Sequence, residues 1–140
     1  MNKYNAEGYP DPTAYTALSA IEREEKTAAK PSRYRPIIYV CSPFSGDIPG
    51  NTKRAIRYSR FAVDNGAIPI APHLLFSLFM NEETERDLAM FMDMVLLGKC
   101  EELWVFGDTV SNGMRAEIDK AERKKMTVRY FTDGLKEVKR

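Results

Sequence analysis

Short apolar runs alternate with helical stripes along this chain. Residues 37–41, Ile-Ile-Tyr-Val-Cys, form an unbroken apolar run between Pro36 and Ser42-Pro43. A run without polar alternation is the pattern of a strand covered on both faces, as in a parallel sheet. Residues 51–65 then predict a helix with Ala55, Ile56, Ser59, Ala62 and Val63 as its inward stripe, closed by Asn65-Gly66. Residues 67–71 read as a second strand, although Pro69 removes a ladder donor. A connecting segment, 72–81, carries His73. Residues 83–100 predict a helix with Leu88, Phe91, Met92, Val95 and Leu96 inward. A third strand is expected at 103–107, a helix at 113–125 and a fourth strand at 127–131, before a polar, basic tail.

Strands alternating with helices of about three turns predict an α/β fold, an open parallel sheet with helices on both faces and right-handed crossovers. Ligands of such sheets bind outside the carboxyl ends of the strands. The loops after Cys41, Ala71 and Gly107 are therefore the informative ones. Ahead of this domain, Asp11-Pro12 and the spacing of Tyr15, Leu18 and Ile21 predict a peripheral amphipathic helix over 13–30. The division expected is an N-terminal extension, 1–34, and an α/β domain, 35–140.

Composition narrows the function. Of 140 residues, 21 are Lys or Arg and 20 Asp or Glu, which gives a net charge of +1. That balance offers no basic footprint for duplex nucleic acid or an anionic membrane, yet leaves room for a small anionic ligand. No apolar run reaches the roughly 18 residues of a membrane span, and the first residues lack a signal-peptide core. Cys41 and Cys100 are isolated, as expected of reduced thiols in a cytoplasmic protein. With His73 the single histidine and no CxxC, zinc is not expected.

Three segments carry candidate chemistry. The loop Ser42-Pro43-Phe44-Ser45-Gly46-Asp47 leaves a buried strand and enters a helix, where small residues let backbone N–H groups approach a ligand. It is equally an ordinary strand-helix turn. Ser111-Asn112-Gly113 opens a helix with exposed N–H donors, and Glu117 lies about one turn further in. A carboxylate there serves as nucleophile or base if neighbours orient it, and otherwise is a surface glutamate favoured by the helix dipole. Asp93, between Met92 and Met94, is either on the solvent face or at the rim of a pocket. Glycosyl transfer uses two carboxyl groups in different environments, and Asp93 with Glu117 is the natural pair. His73, at a strand end, fits a site edge or a structural hydrogen bond, whereas Trp104 reads as core.

Together these pieces resemble the nucleoside 2-deoxyribosyltransferase superfamily. That group includes the 2′-deoxynucleoside 5′-monophosphate N-glycosidases and small phage and bacterial relatives. The resemblance rests on Tyr39-Val40-Cys41-Ser42-Pro43-Phe44-Ser45-Gly46, Asn51 with Ala55, the stretch from Gly66 to His73, Asp93, and Ser111-Asn112-Gly113 with Glu117. It covers about residues 36–131. It implies a flavodoxin-like sheet and a double-displacement enzyme with no metal or organic cofactor. Glu117 would attack the anomeric carbon, and Asp93 would help protonate the departing base. Tyr39, Ser42, Pro43, Phe44, Ser45, Gly46, His73, Ser111, Asn112 and Gly113 would bind the nucleoside or nucleotide.

The resemblance further implies a homo-oligomer, a dimer or larger. Ser111, where transferases of free nucleosides carry an acid, favours a 5′-monophosphate. Arg115 and Pro43-Phe44 depart from the family pattern, the latter replacing the basic loop of some nucleotide hydrolases. Two other readings stay open: a non-catalytic nucleotide-binding module on the same fold, and an N-glycosidase of NAD-like or ribonucleotide substrates.

Overall fold

Five strands and four helices follow one another in a computed structural model, which describes residues 34–140. The amphipathic helix expected over 13–30 lies outside the described residues. The order is β1 (Ile37–Cys41), α1 (Ile48–Asp64), β2 (Ile68–Ile70), α2 (Pro72–Phe76), α3 (Arg86–Lys99), β3 (Glu102–Phe106), α4 (Asn112–Arg123), β4 (Thr127–Phe131) and β5 (Glu137–Val138). They form one sheet in the order β2-β1-β3-β4-β5. The first four strands pair in parallel, whereas β5 returns antiparallel beside β4. The sheet is thus mixed, a correction to the wholly parallel sheet expected. Its last strand is made from the tail that reads as merely polar and basic.

The unbroken apolar runs do mark doubly covered strands. Ile38, Val40, Trp104 and Phe106 pack on one face with Tyr58 and Ala62 of α1 and with Phe131. Tyr39, Cys41, Leu103 and Val105 pack on the other with Leu97 of α3 and Met114, Ile118 and Ala121 of α4. Alternate residues of one strand point to opposite faces, so a strand buried on both has no polar positions to show. Trp104 is core, its indole N–H satisfied by Glu102 at 2.9 Å.

Pro69 sits in β2 at the edge of the sheet, where the missing donor faces no further strand. The helix expected from residue 51 begins earlier, at Ile48, because the Asp47 carboxylate accepts from the Gly50 N–H and a proline fits the first turn. It ends in a Schellman arrangement. Ala67 N–H reaches Ala62 O at 2.9 Å and Gly66 N–H reaches Val63 O at 3.1 Å, with Gly66 at φ +82°.

Two inward stripes are misplaced by the spacing. On α1, Ile56 is exposed and Tyr58 is buried instead. On α3, Leu88, Phe91 and Val95 are exposed, and Leu97 is the buried residue, with Met94 and Leu96 packed beside it. Among the described residues no helix is long and apolar enough to cross a membrane.

Candidate functional site

The chain leaves β1 toward β2 on one side, and β3 lies on the other. Such a reversal opens a crevice at the carboxyl ends of the two central strands. A cleft of about 460 Å³ lies there. Four segments line it: Ser42, Phe44 and Ser45 after β1; His73 and Phe76 of α2; Met90, Asp93 and Met94 of α3; and Ser111, Asn112, Gly113 and Glu117 at the start of α4.

Glu117 is reached from the sheet below. The Tyr39 hydroxyl, at the β1 position facing α4, donates to its Oε2. Burial pushes the Glu117 carboxyl up from 4.5 to about 7, while donation from Tyr39 and Cys41 pulls it down and nearby Asp93 raises it. The same carboxylate, after the cost of burial, holds the Tyr39 hydroxyl far above its ordinary range. Burial pushes Asp93 from 3.8 up to about 6. His73 moves the other way, from 6.5 down to about 4, because burial disfavours its cation. At neutral pH it is an uncharged ring, 5.2 Å from the Phe44 ring.

Three buried polar atoms lack a hydrogen-bond partner among the described residues: Ser42 Oγ, His73 Nε2 and Asp93 Oδ1. All three residues line this cleft. Buried polar atoms are nearly always paired, and these three face one concavity, where water or a polar ligand could reach them. At the head of α4, Ser111 is the N-cap, accepting from Met114 N–H at 3.3 Å. Space beyond Gly113 is open, for a Cβ built there meets nothing within 4 Å.

Residues 36–131 match a domain family described as a domain of unknown function, DUF7768. The chain belongs to that family. No curated protein matches it.

In this DUF7768 domain, nine of the residues singled out in the sequence line the cleft: Asp93, Glu117, Ser42, Phe44, Ser45, His73, Ser111, Asn112 and Gly113. Three do not. Tyr39 lies beneath the cleft as the partner of Glu117, and Pro43 and Gly46 shape the loop without lining it. The run of methionines reads as core or pocket lining, since thioethers suit irregular apolar walls, and Met80, Met90 and Met94 do line the cleft. Sequence reasoning missed Phe76, Arg86 and Ala89 of the outer wall. Arg86 is the one basic side chain among the lining residues. Among the described residues, no group of three or more His, Cys, Asp or Glu side chains is placed to hold a metal ion.

Proposed function

We propose that this domain cleaves or transfers at the N-glycosidic bond of a nucleoside or nucleoside 5′-monophosphate, with Glu117 as nucleophile. The observation that carries this reading is the pairing in one cleft of two carboxyls with different surroundings. Glu117 is hydrogen-bonded from below by Tyr39, and Asp93 has an unpartnered oxygen. The strand order β2-β1-β3-β4 with a fifth strand beyond is also the order of flavodoxin-like sheets, which bind ligands at this switch point. The sequence resemblance to the nucleoside 2-deoxyribosyltransferases points the same way.

The reaction runs in two displacements. A Glu117 carboxylate oxygen attacks C1′, the C1′–N bond breaks, and its electron pair leaves with the base. Asp93, protonated, gives its proton to the departing base. The product is a glycosyl ester of Glu117. In the second step Asp93 takes a proton from water, whose oxygen attacks C1′ and frees the Glu117 carboxylate. An acceptor base in place of water yields a new nucleoside. Apolar walls such as Phe44, Met90 and Met94 suit the flat base, and neutral His73 offers it one ring nitrogen. The head of α4 with Gly113 suits the sugar 5′ end, where N–H donors favour a phosphate. Neither step calls for a metal or an organic cofactor.

Oligomerisation belongs to the same proposal. Leu88, Phe91 and Val95 make an exposed apolar stripe on the outer face of α3, and Leu78 and Phe79 are exposed as well. A second copy of the chain seated here would border the cleft that α3 lines. The reaction suits the cytoplasm, where nucleotides are found.

The test is base release. Purified protein is incubated with each deoxynucleoside, each deoxynucleoside 5′-monophosphate and the matching ribonucleotides, with and without an acceptor base. Products are followed by chromatography beside Glu117→Gln and Asp93→Asn. The expected result is release that falls at least about a thousandfold in Glu117→Gln and about a hundredfold in Asp93→Asn. Release undiminished in Glu117→Gln sinks the mechanism. Ligand binding with no release from any substrate supports instead a nucleotide-binding module.

A further inference from the structure

Among the described residues Ser42 and Asn51 are the polar residues with the least of their whole surface exposed. Ser42 faces the cleft. Asn51 lies outside it, in the first turns of α1, and the chemistry above makes no use of it. Its amide nitrogen donates to two successive carbonyls of the loop after β1, Phe44 O at 2.9 Å and Ser45 O at 3.1 Å. Its oxygen accepts from the Arg54 guanidinium at 2.7 Å, and Arg54 in turn lies 3.6 Å from Asp47 at the end of the same loop. Only one orientation of the amide satisfies this set. Flipped, its oxygen would face two carbonyl oxygens and its NH₂ a guanidinium. An asparagine inside a helix ordinarily competes with helix formation. Here that tendency is turned backward to hold the segment preceding the helix.

From this geometry we infer that Asn51 is a positioning residue, which fixes the loop of residues 42–47 in the shape that closes the cleft. The trans peptide plane explains how. With the Phe44 and Ser45 carbonyls turned onto Asn51, the N–H groups of Ser45 and Gly46 face the opposite side. Neither N–H has an acceptor among the described residues. Gly46, at φ +98°, completes the turn in a region that favours glycine. Consecutive N–H groups on such a turn form a concavity for an acceptor atom. The same clamp holds Phe44 where its ring meets His73. Of these residues Phe44 and Ser45 line the cleft, so the ligand feature read by this loop is an acceptor atom for the Ser45 N–H beside the Phe44 ring. The kinetic consequence rests on the reaction proposed above, whereas the holding of the loop does not.

Asn51→Asp separates the donors from everything else. It keeps the size and the Arg54 partner but sets carboxylate oxygen against two carbonyls. Arg54→Ala removes only the support of the clamp and is the milder variant. Amide order parameters from ¹⁵N relaxation are measured at Ser45 and Gly46 without ligand, and steady-state kinetics with deoxynucleoside 5′-monophosphates. The expected result is a fall at both amides from about 0.85 toward 0.6 in Asn51→Asp, less in Arg54→Ala, with β3 amides unchanged. KM rises about tenfold while kcat stays within about threefold, because binding rather than the reacting groups is disturbed. Order parameters unchanged in Asn51→Asp overturn the inference. So does a loosened loop with unchanged KM, which would make the clamp merely structural. A wild type that releases no base refutes the proposed reaction, and the order parameters then decide the role of Asn51 alone.

Discussion

Glu117 and Asp93 owe their chemistry to burial, and burial gives that chemistry a pH signature. The proposed reaction needs Glu117 ionised and Asp93 protonated, yet their values lie near 7 and near 6 respectively. Protons are therefore shared by a pair, and the productive form is a minority that is most populated between those values. The expected kcat/KM profile is a bell with its maximum between about 6 and about 7. Tyr39→Phe removes a donor that lowers the Glu117 pKa, so its bell moves to higher pH and its height falls. A profile in Tyr39→Phe superimposable on wild type would show that the hydroxyl does not tune the carboxylate. Stability carries the same information. Glu117 holds its proton more tightly when folded than at its ordinary 4.5, so its contribution is present below that value and is lost as pH rises through about 7. His73, with its lowered value, acts in the opposite sense as pH falls from 6.5 through about 4. Comparing Glu117→Gln with wild type isolates the first effect. The difference in Tm in favour of Glu117→Gln grows from pH 5 to pH 8, and a constant difference would contradict the raised pKa.

At the scale of elements, the head of α4 makes a sharper claim than a cap usually allows. Gly113 lies in the first turn, where alanine is the better helix former by about 0.5–1 kcal/mol. No protein atom would clash with the added methyl. Gly113→Ala is thus expected to keep or raise Tm while weakening nucleotide affinity about tenfold or more by filling the space a ligand would take. Unchanged affinity, read by calorimetry with a deoxynucleoside 5′-monophosphate, would remove the head of α4 from the site. Elements also show what the sequence makes legible. β1 coincides with its apolar run because a strand covered on both faces has no choice of face to misread. The segments that bear Ser42, His73 and Glu117 are legible because they follow the ends of β1, β2 and β3, and strand ends locate themselves once the strands are known. The face of α3 was misread because its largest apolar residues, Leu88, Phe91 and Val95, point outward, and periodicity reports a stripe without saying what covers it. Two residues of β5 are too short a signal to read. The bond between Tyr39 and Glu117 spans 78 positions, so no local pattern reveals it.

For the whole molecule, the outward stripe of α3 becomes the informative error. Seven exposed large apolar residues, Leu75, Leu78, Phe79, Leu88, Met90, Phe91 and Val95, fall within one stretch of chain that builds the outer wall of the cleft. Scattered singly, exposed apolar residues need no explanation, whereas the proposed dimer would cover the apolar side chains of this stretch. A closed dimer uses the same patch on both copies, so one substitution is placed twice in the interface. Phe91→Glu sets two carboxylates against that apolar surface, while its position on the exposed side of α3 leaves the buried residues Leu97 and Leu103 untouched. The expected outcome is a monomer by analytical ultracentrifugation, with far-ultraviolet circular dichroism unchanged and base release reduced through a higher KM. Phe91→Leu, which keeps the apolar character, is expected to retain the wild-type assembly. A wild type that sediments as a monomer at all concentrations removes the interface. A dimer that survives Phe91→Glu places the contact elsewhere on the molecule. A monomeric Phe91→Glu that keeps full activity separates assembly from the site, and the cleft is then complete within one chain.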